Sequence, residues 1–326
     1  MKVLVTGVSG QVGAAVARAL VARGDAVRGL VRDPARAPAL PGVSLTAGDL
    51  SQPEALAAAV KGVEAVVHCA GVVSFAPARA DEQRAVNVEG TRALLHAAAA
   101  AGCRRFLLTS SIAAGGPVDG PGEGDEDSPF TLEGQGFVYG ETKRQAEQLV
   151  LQDARLEGLA VRPGVILGAG DVNGNGGRML LDLLAGKVPG VPSGATTLCN
   201  LDDVVAGHLA ALDRGAAGRC WILGGTPCTF REAYQRIAAV LGVAAPRFVL
   251  PDWLLFVLAH MRAMQAGAGE ASLTPVLARL ITRNRRFSSA RAIAELGYAP
   301  QPIEQGIAAA ADWYVAQGQM APKGAR

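Results

Sequence analysis

The chain has 326 residues, half of them hydrophobic, which is enough for one large domain or two closely joined ones around a sizeable core. Thirty-one Lys and Arg against 29 Asp and Glu leave a net charge of +2, so nothing points to nucleic acid or to an anionic membrane surface as a partner. Cys69, Cys103, Cys199, Cys220 and Cys228 form no C-x-x-C pair and are odd in number, so they read as reduced thiols of a cytoplasmic protein.

The first two-thirds of the chain alternates strand and helix. Val3–Val5 is an apolar run that ends at a glycine turn, with no signal peptide apparent before it. Val12, Ala15, Val16, Ala19 and Leu20 then recur at helical spacing. Further strands are predicted at Val27–Val31, Val43–Ala47, Ala65–Cys69, Phe106–Thr109 and Ala160–Arg162. Helices are predicted at Pro53–Val60, Glu82–Ala101 and Val138–Glu157. This rhythm means an α/β fold, a Rossmann-type doubly wound parallel sheet. Gly115–Gly136 and Gly168–Gly177 are glycine-rich loops. Beyond about Gly224 the pattern turns mainly helical, without strand rhythm. Phe248–Met261 is apolar but too short to span a membrane and contains Pro251, Asp252 and His260. It reads as a buried or pocket-covering helix, with a peripheral membrane contact left open and no stable insertion expected. The expected division is a dinucleotide-binding domain at 1–164 and 200–223 and a smaller, mostly helical substrate-binding part at 165–199 and 224–326.

The segment Thr6-Gly7-Val8-Ser9-Gly10-Gln11-Val12-Gly13 sits between the first strand and the first helix. There Gly7 permits a tight turn, Gly10 lets the backbone approach a pyrophosphate, and Gly13 allows close helix packing. The phosphate would rest on the helix N-terminus. At the second strand's tip an NAD enzyme places an acid for the ribose 2′-hydroxyl. This chain has Arg32 there, with Asp33 one residue late. Arg32 can pair a 2′-phosphate, which favours NADP and leaves NAD possible; the alternative is a solvated arginine in an arginine-rich chain. Asp49 and Leu50 follow the third strand, where Asp49 can accept from the adenine amino group or cap the next helix while Leu50 covers the ring. Cys69, Ala70 and Gly71 end the fourth strand, Ser110 and Ser111 the fifth, and Pro163-Gly164 the sixth. All these candidates lie at strand C-terminal ends, where open α/β sheets bind ligands.

Tyr139 and Lys143 stand one helical turn apart on one face. With four tyrosines and five lysines in the chain, such a pair arises by chance with a probability of about 0.06. A phenol's ordinary pKa, near ~10, is too high for efficient proton transfer at neutral pH. A nearby ammonium, Lys143, would favour the phenolate and also hold the nicotinamide ribose. Ser111 would hydrogen-bond the substrate oxygen.

With these pieces in place the chain resembles the extended short-chain dehydrogenase/reductases over nearly its whole length. The matching pieces are the glycine segment, Gly48-Asp-Leu50, Asn87-Val-Glu-Gly-Thr91, Thr109-Ser-Ser111, Tyr139-x-x-x-Lys143, Arg162-Pro-Gly164 and Asn200-x-Asp-Asp203. Val27–Pro34 looks most like the dihydroflavonol-reductase and 3β-hydroxysteroid-dehydrogenase branch. The resemblance implies Tyr139 as general acid/base, Lys143 as its partner and Ser111 as substrate orienter. Three departures stand out. Ile112-Ala113 follows Ser111 where sugar-nucleotide dehydratases carry an acid pair. Gly115-Gly116 replaces a common tyrosine and is expected to leave room beside the substrate. Arg283, Arg285 and Arg286 read as a solvated cluster, although a diphosphate pocket would need such residues.

The expected function is NADP(H)-dependent interconversion of a ketone or aldehyde and an alcohol on an apolar small-molecule substrate. One alternative is an NAD(P)-dependent sugar-nucleotide epimerase of the same superfamily. The other is a non-catalytic NADP-binding regulator, a class that usually loses the Tyr or Lys present here. Family resemblance also implies a homodimer through Glu82–Ala101 and Val138–Glu157, with Ala85, Val88, Leu94, Leu95, Ala97, Ala98 and Ala101 as the apolar patch of the first helix.

Overall fold

The computed structural model describes residues 1–266 and 273–321. Strands β1 (Lys2–Thr6), β2 (Ala26–Val31), β3 (Val43–Ala47), β4 (Ala65–His68), β5 (Arg105–Thr109) and β6 (Glu157–Pro163) alternate with helices α1 (Gln11–Ala22), α2 (Pro53–Val60), α3 (Ala80–Gln83), α4 (Thr91–Ala100) and α5 (Val138–Leu151). The rest comprises β7 (Val165–Leu167), α6 (Arg178–Leu184), β8 (Ala195–Asn200), α7 (Leu201–Arg214), β9 (Arg219–Leu223), β10 (Thr226–Thr229), α8 (Phe230–Leu241), α9 (Asp252–Ala266), α10 (Pro275–Ile281), α11 (Ala290–Leu296) and α12 (Ile303–Ala316).

Seven strands form one parallel sheet in the order β3-β2-β1-β4-β5-β6-β9. The central strands β1, β4 and β5 are buried at nearly every position because both faces are covered, whereas the edge strand β3 is half-exposed. In β1, Val3 and Val5 enter the layer containing Val16, Leu20 and Val204, while Leu4 enters the opposite layer with Leu56, Leu94 and Val150. The chain reverses direction of winding between β1 and β4. Their C-terminal ends therefore open a crevice at the switch point.

A second, three-stranded sheet runs β10-β8-β7, with β10 antiparallel at its edge. It packs with α6, α8 and α12 through Leu167, Leu180, Leu198, Ile237 and Ile307. The region after Gly224 thus contains a strand that its Thr-Pro-Cys-Thr sequence does not announce. The predicted helix Glu82–Ala101 is interrupted by a π-helical stretch, Arg84–Gly90. The helix predicted to reach Glu157 stops at Leu151, and β6 then passes so close to its end that a Cβ on Gly158 would stand 1.9 Å from the Val150 carbonyl oxygen.

Phe248–Met261 is not a buried helix. Helix α9 buries Leu255 and Ala259 but leaves Trp253, Val257 and Met261 exposed, as is Phe248 ahead of it. No helix among the described residues is long and apolar enough to cross a membrane.

Candidate active site

The glycine turn is built as the motif requires. Gly7 has φ +71°, and a Cβ there would lie 2.7 Å from the Ala70 nitrogen. A Cβ on Gly13 would lie 2.3 Å from the Gly7 carbonyl oxygen, so α1 can approach the turn only because that position is bare. Gly10 begins α1 with no side-chain cap, which leaves first-turn N–H groups without a side-chain acceptor. A pyrophosphate would satisfy them, so the residues fit a dinucleotide. Gln11 reaches across to the Gly168 and Ala169 carbonyls (3.1 and 3.2 Å), and half-buried Val12 packs beside it on the core.

Thr6 orders the neighbouring strand ends. Its Oγ1 bonds His68 Nδ1 (2.7 Å) and accepts from Ala70 N–H (3.2 Å), while His68 Nε2 meets Thr91 Oγ1 at 3.0 Å. Burial drives the His68 pKa down to about 3, so this ring is a neutral structural link. Asn87, a residue the sequence reading quoted but gave no role, accepts from Val72 N–H (2.7 Å) and donates to the Val72 carbonyl (3.0 Å) and Thr142 Oγ1 (3.1 Å). It fastens the loop after β4 to α5 from within the π-helical stretch, a feature common at functional sites.

Arg32 is exposed at the β2 tip, and Asp33 is spent capping the following turn through Ala35 N–H (3.0 Å). The Asp49 carboxylate accepts from Ser51 N–H and Oγ, and these bonds, more than the nearby Arg32, hold its pKa below the ordinary range. Gln52, rather than Asp49, occupies the cap position of α2. Leu50 is buried against Gly90, on whose Cα a side chain would meet it at 3.0 Å.

Ser111 and Tyr139 come together, while Lys143, one turn along α5, turns to the end of β5. The Ser111 hydroxyl lies close enough to Tyr139 to favour its phenolate, and Ser111 Oγ accepts from Ala113 N–H at 3.1 Å. Burial raises the Tyr139 pKa, opposed by that hydroxyl and by the Arg285 guanidinium. Lys143 was expected to oppose it too. Its ammonium instead donates to the Thr109 carbonyl (2.6 Å), and it lies beside Gly71, whose Cβ would stand 3.7 Å away. Lys143 is buried, which draws its pKa to about 8 against the pull of the Glu147 carboxylate. Cys69, accepting from Thr109 Oγ1 (3.1 Å), is pushed up by burial to about 11 and stays a thiol. Pro163 ends β6, held by the buried bidentate pair of Arg162 with Glu147 (2.9 and 2.5 Å).

Two expectations fail here. Gly115-Gly116 leaves no free room: a Cβ on Gly115 would meet the Phe287 ring at 3.0 Å, and one on Gly116 the Pro129 carbonyl oxygen at 2.4 Å. The arginines 283, 285 and 286 are not one solvated cluster, since Arg285 stacks over Phe137, 5.9 Å from the ring centre. Asn200 and Asp203 are internal fasteners, binding each other (2.9 Å) and the Gln301 and Gly306 N–H groups. A wide surface hollow lined by Arg214, Trp221 and Glu295 lies where β9 begins, at the opposite end of the strands.

A dinucleotide crevice at the switch point, with a Ser/Tyr/Lys set beside it, defines a nicotinamide-dependent enzyme of the short-chain dehydrogenase/reductase type. The chain belongs to the NAD dependent epimerase/dehydratase family, whose model matches residues 3–224. It is 32% identical to sterol demethylase protein B of Methylococcus capsulatus, over 98% of this chain and 100% of the relative. It is also 32% identical to 2-alkyl-3-oxoalkanoate reductase of Stenotrophomonas maltophilia, over 94% of this chain and 97% of the relative. Among solved structures, that of gox2253 superposes with a TM-score of 0.83 at 33% identity, covering 98% of this chain and 99% of that one.

Proposed function

We propose that the protein reduces a ketone or aldehyde to an alcohol, or runs the reverse, with NADP(H) and Tyr139 as the general acid/base. The observation that carries this is the half-buried Tyr139 beside Ser111 in a crevice whose Lys143 sits against Gly71. The bound dinucleotide supplies or accepts the hydride. Gly7, Gly10, Gly13 and the first turn of α1 hold its phosphates, and Lys143 and Gly71 lie where its ribose would pass.

Tyr139 gives its proton to the substrate oxygen. Its raised pKa keeps it protonated at neutral pH, which suits the reduction direction. Ser111 orients that oxygen and stabilises the charge developing on it. Arg32, with Asp33 turned to its own cap, supports NADP over NAD. The substrate wall is apolar, with Phe75, Phe130, Leu132, Phe137 and Val276 around Tyr139. The 3-oxoalkanoate in the Stenotrophomonas relative's name supports ketone reduction. The second sheet with α6, α8 and α12 makes up much of the substrate-binding part proposed for 165–199 and 224–326. Five free cysteines, four of them buried, support a reducing, cytoplasmic setting.

A screen of ketones, aldehydes and sterols with each reduced cofactor, followed by its absorbance, tests the reading. Net oxidation of NADPH supports it. Conversion of a UDP-sugar to its epimer without net cofactor change would contradict it.

A further inference from the structure

The segment after α10 carries three arginines that look alike in sequence, and the fold gives them different surroundings. Backbone bonds from Arg285 N–H to the Ala195 carbonyl (3.1 Å) and from Phe287 N–H to Thr197 Oγ1 (2.8 Å) pin the segment along β8. Arg286 binds Asn284 Oδ1 (3.1 Å) and the Pro121 carbonyl, and Arg283 is exposed. Arg285 instead lies over Phe137 and acts electrostatically on Tyr139. Its Nε is sealed from solvent with no hydrogen-bond partner, and no carboxylate among the described residues pairs with it.

A guanidinium has five donors in a planar fork and keeps its charge in proteins. An Nε–H held away from water without a partner costs free energy that a bound anion would return. The burial is strong enough to lower its pKa to about 10. The adjoining wall is aromatic and aliphatic, with Phe75, Phe137, Leu132 and Leu280. A half-buried guanidinium with its Nε–H unmet, beside an apolar wall, matches a single carboxylate on an apolar body.

We propose that Arg285 is the carboxylate anchor of the substrate pocket, so that the compound handled at Tyr139 is an oxo acid or hydroxy acid with an apolar chain. This rests on the carbonyl-reductase reading of the same site. The carboxylate itself takes no part in the redox change; it fixes the distance and orientation of the reacting carbon relative to Tyr139 and Ser111. A diphosphate offers the same anionic chemistry, and Arg279 and Arg283 line the hollow beside Phe137, so a sugar nucleotide forms a separate arm of the test.

The experiment uses the full chain with oxidised cofactor bound. 3-Hydroxydecanoate and its methyl ester are compared as substrates for the parent, Arg285→Gln and Arg285→Lys. Decanoate, decanamide and UDP-glucose are titrated calorimetrically into the same three proteins. Arg285→Gln is expected to lower kcat/KM for the acid by about 30-fold or more, the usual scale for truncating one partner of a buried charge pair. The ester should lose at least about tenfold less than the acid, its own loss reporting only what Arg285 does to Tyr139. Decanoate affinity should fall in parallel, decanamide should be indifferent, and Arg285→Lys should lie between. Equal losses on acid and ester would overturn the anchor, because Arg285 would then act only on Tyr139. So would tight UDP-glucose binding lost in Arg285→Gln. Arg285-dependent decanoate binding without turnover of either alcohol would keep the anchor and refute the reductase reading. Turnover with unchanged decanoate affinity in Arg285→Gln would do the opposite.

Discussion

Lys143 gives the most quantitative handle on the site, because its burial sets a pH dependence that only its own proton can produce. The ammonium is drawn from its ordinary 10.5 to about 8 in the fold. At about 1.4 kcal/mol per pH unit, that fall amounts to about 3 kcal/mol. The sign follows from proton counting. Between pH 8 and 10.5 the unfolded chain still holds the lysine proton and the folded chain has lost it, so stability rises with pH through that window. Below pH 8 both states are protonated and the whole penalty of a buried charge is present.

Lys143→Met removes this proton from both states. Urea unfolding of the cofactor-free parent and variant at pH 7, 8, 9 and 10 isolates the effect, since other titrating groups are common to both and largely cancel. The parent is expected to gain about 2–3 kcal/mol on the variant between pH 7 and 10. Any fixed offset from the lost bond to the Thr109 carbonyl is the same at low pH and drops out of the trend. A difference that stays flat within about 0.5 kcal/mol across the series would refute the placement of a buried, depressed lysine beside Gly71 and Thr109.

Other consequences can be checked directly. Fluorescence titration is expected to show NADPH binding more tightly than NADH, with Arg32→Asp reversing the order; equal constants in the parent would remove Arg32 from the cofactor site. Gly13→Ala should abolish measurable cofactor binding, because its Cβ would stand 2.3 Å from the Gly7 carbonyl oxygen; retained affinity would mean that the turn opens easily. Light scattering is expected to give a dimer, and a mass near 33.3 kDa at all concentrations would exclude it. That expectation now rests on less surface: Val88, Leu94, Leu95 and Ala98 are buried within the chain itself, which leaves Ala85, Ala97 and Ala101 for a partner.

What could be read from the sequence follows a physical divide. The central strands β1, β4 and β5 are buried on both faces, so short apolar runs such as Val3–Val5 and Phe106–Thr109 declare themselves. Glycine positions declare themselves too, since nothing else fits at Gly7 and Gly13. The second sheet does not. Its β8 reads Ala-Thr-Thr-Leu-Cys-Asn, polar in composition yet buried throughout, and β10 holds a proline that only an edge strand tolerates. Helix α9 shows the limit of periodicity, which marks an apolar stripe but not whether anything covers it. Arg285 was beyond reach for a similar reason. Three neighbouring arginines differ only in how the pinned backbone aims them, and that depends on Ala195 and Thr197, about ninety residues away. The same holds for the guanidinium that acts on Tyr139, which only the fold brings beside the phenol.

The central claim is that Tyr139 moves the proton while the carbonyl carbon is reduced. Tyr139→Phe keeps the ring packed against Phe75 and Phe137 and removes only the hydroxyl. The decisive measurement is turnover of the best ketone found in the NADPH screen by this variant, alongside its cofactor dissociation constant. Loss of activity by about 10²-fold or more, the usual scale for removing a general acid, with cofactor affinity within about twofold, is the expected result. Activity within a few-fold of the parent would contradict the assignment.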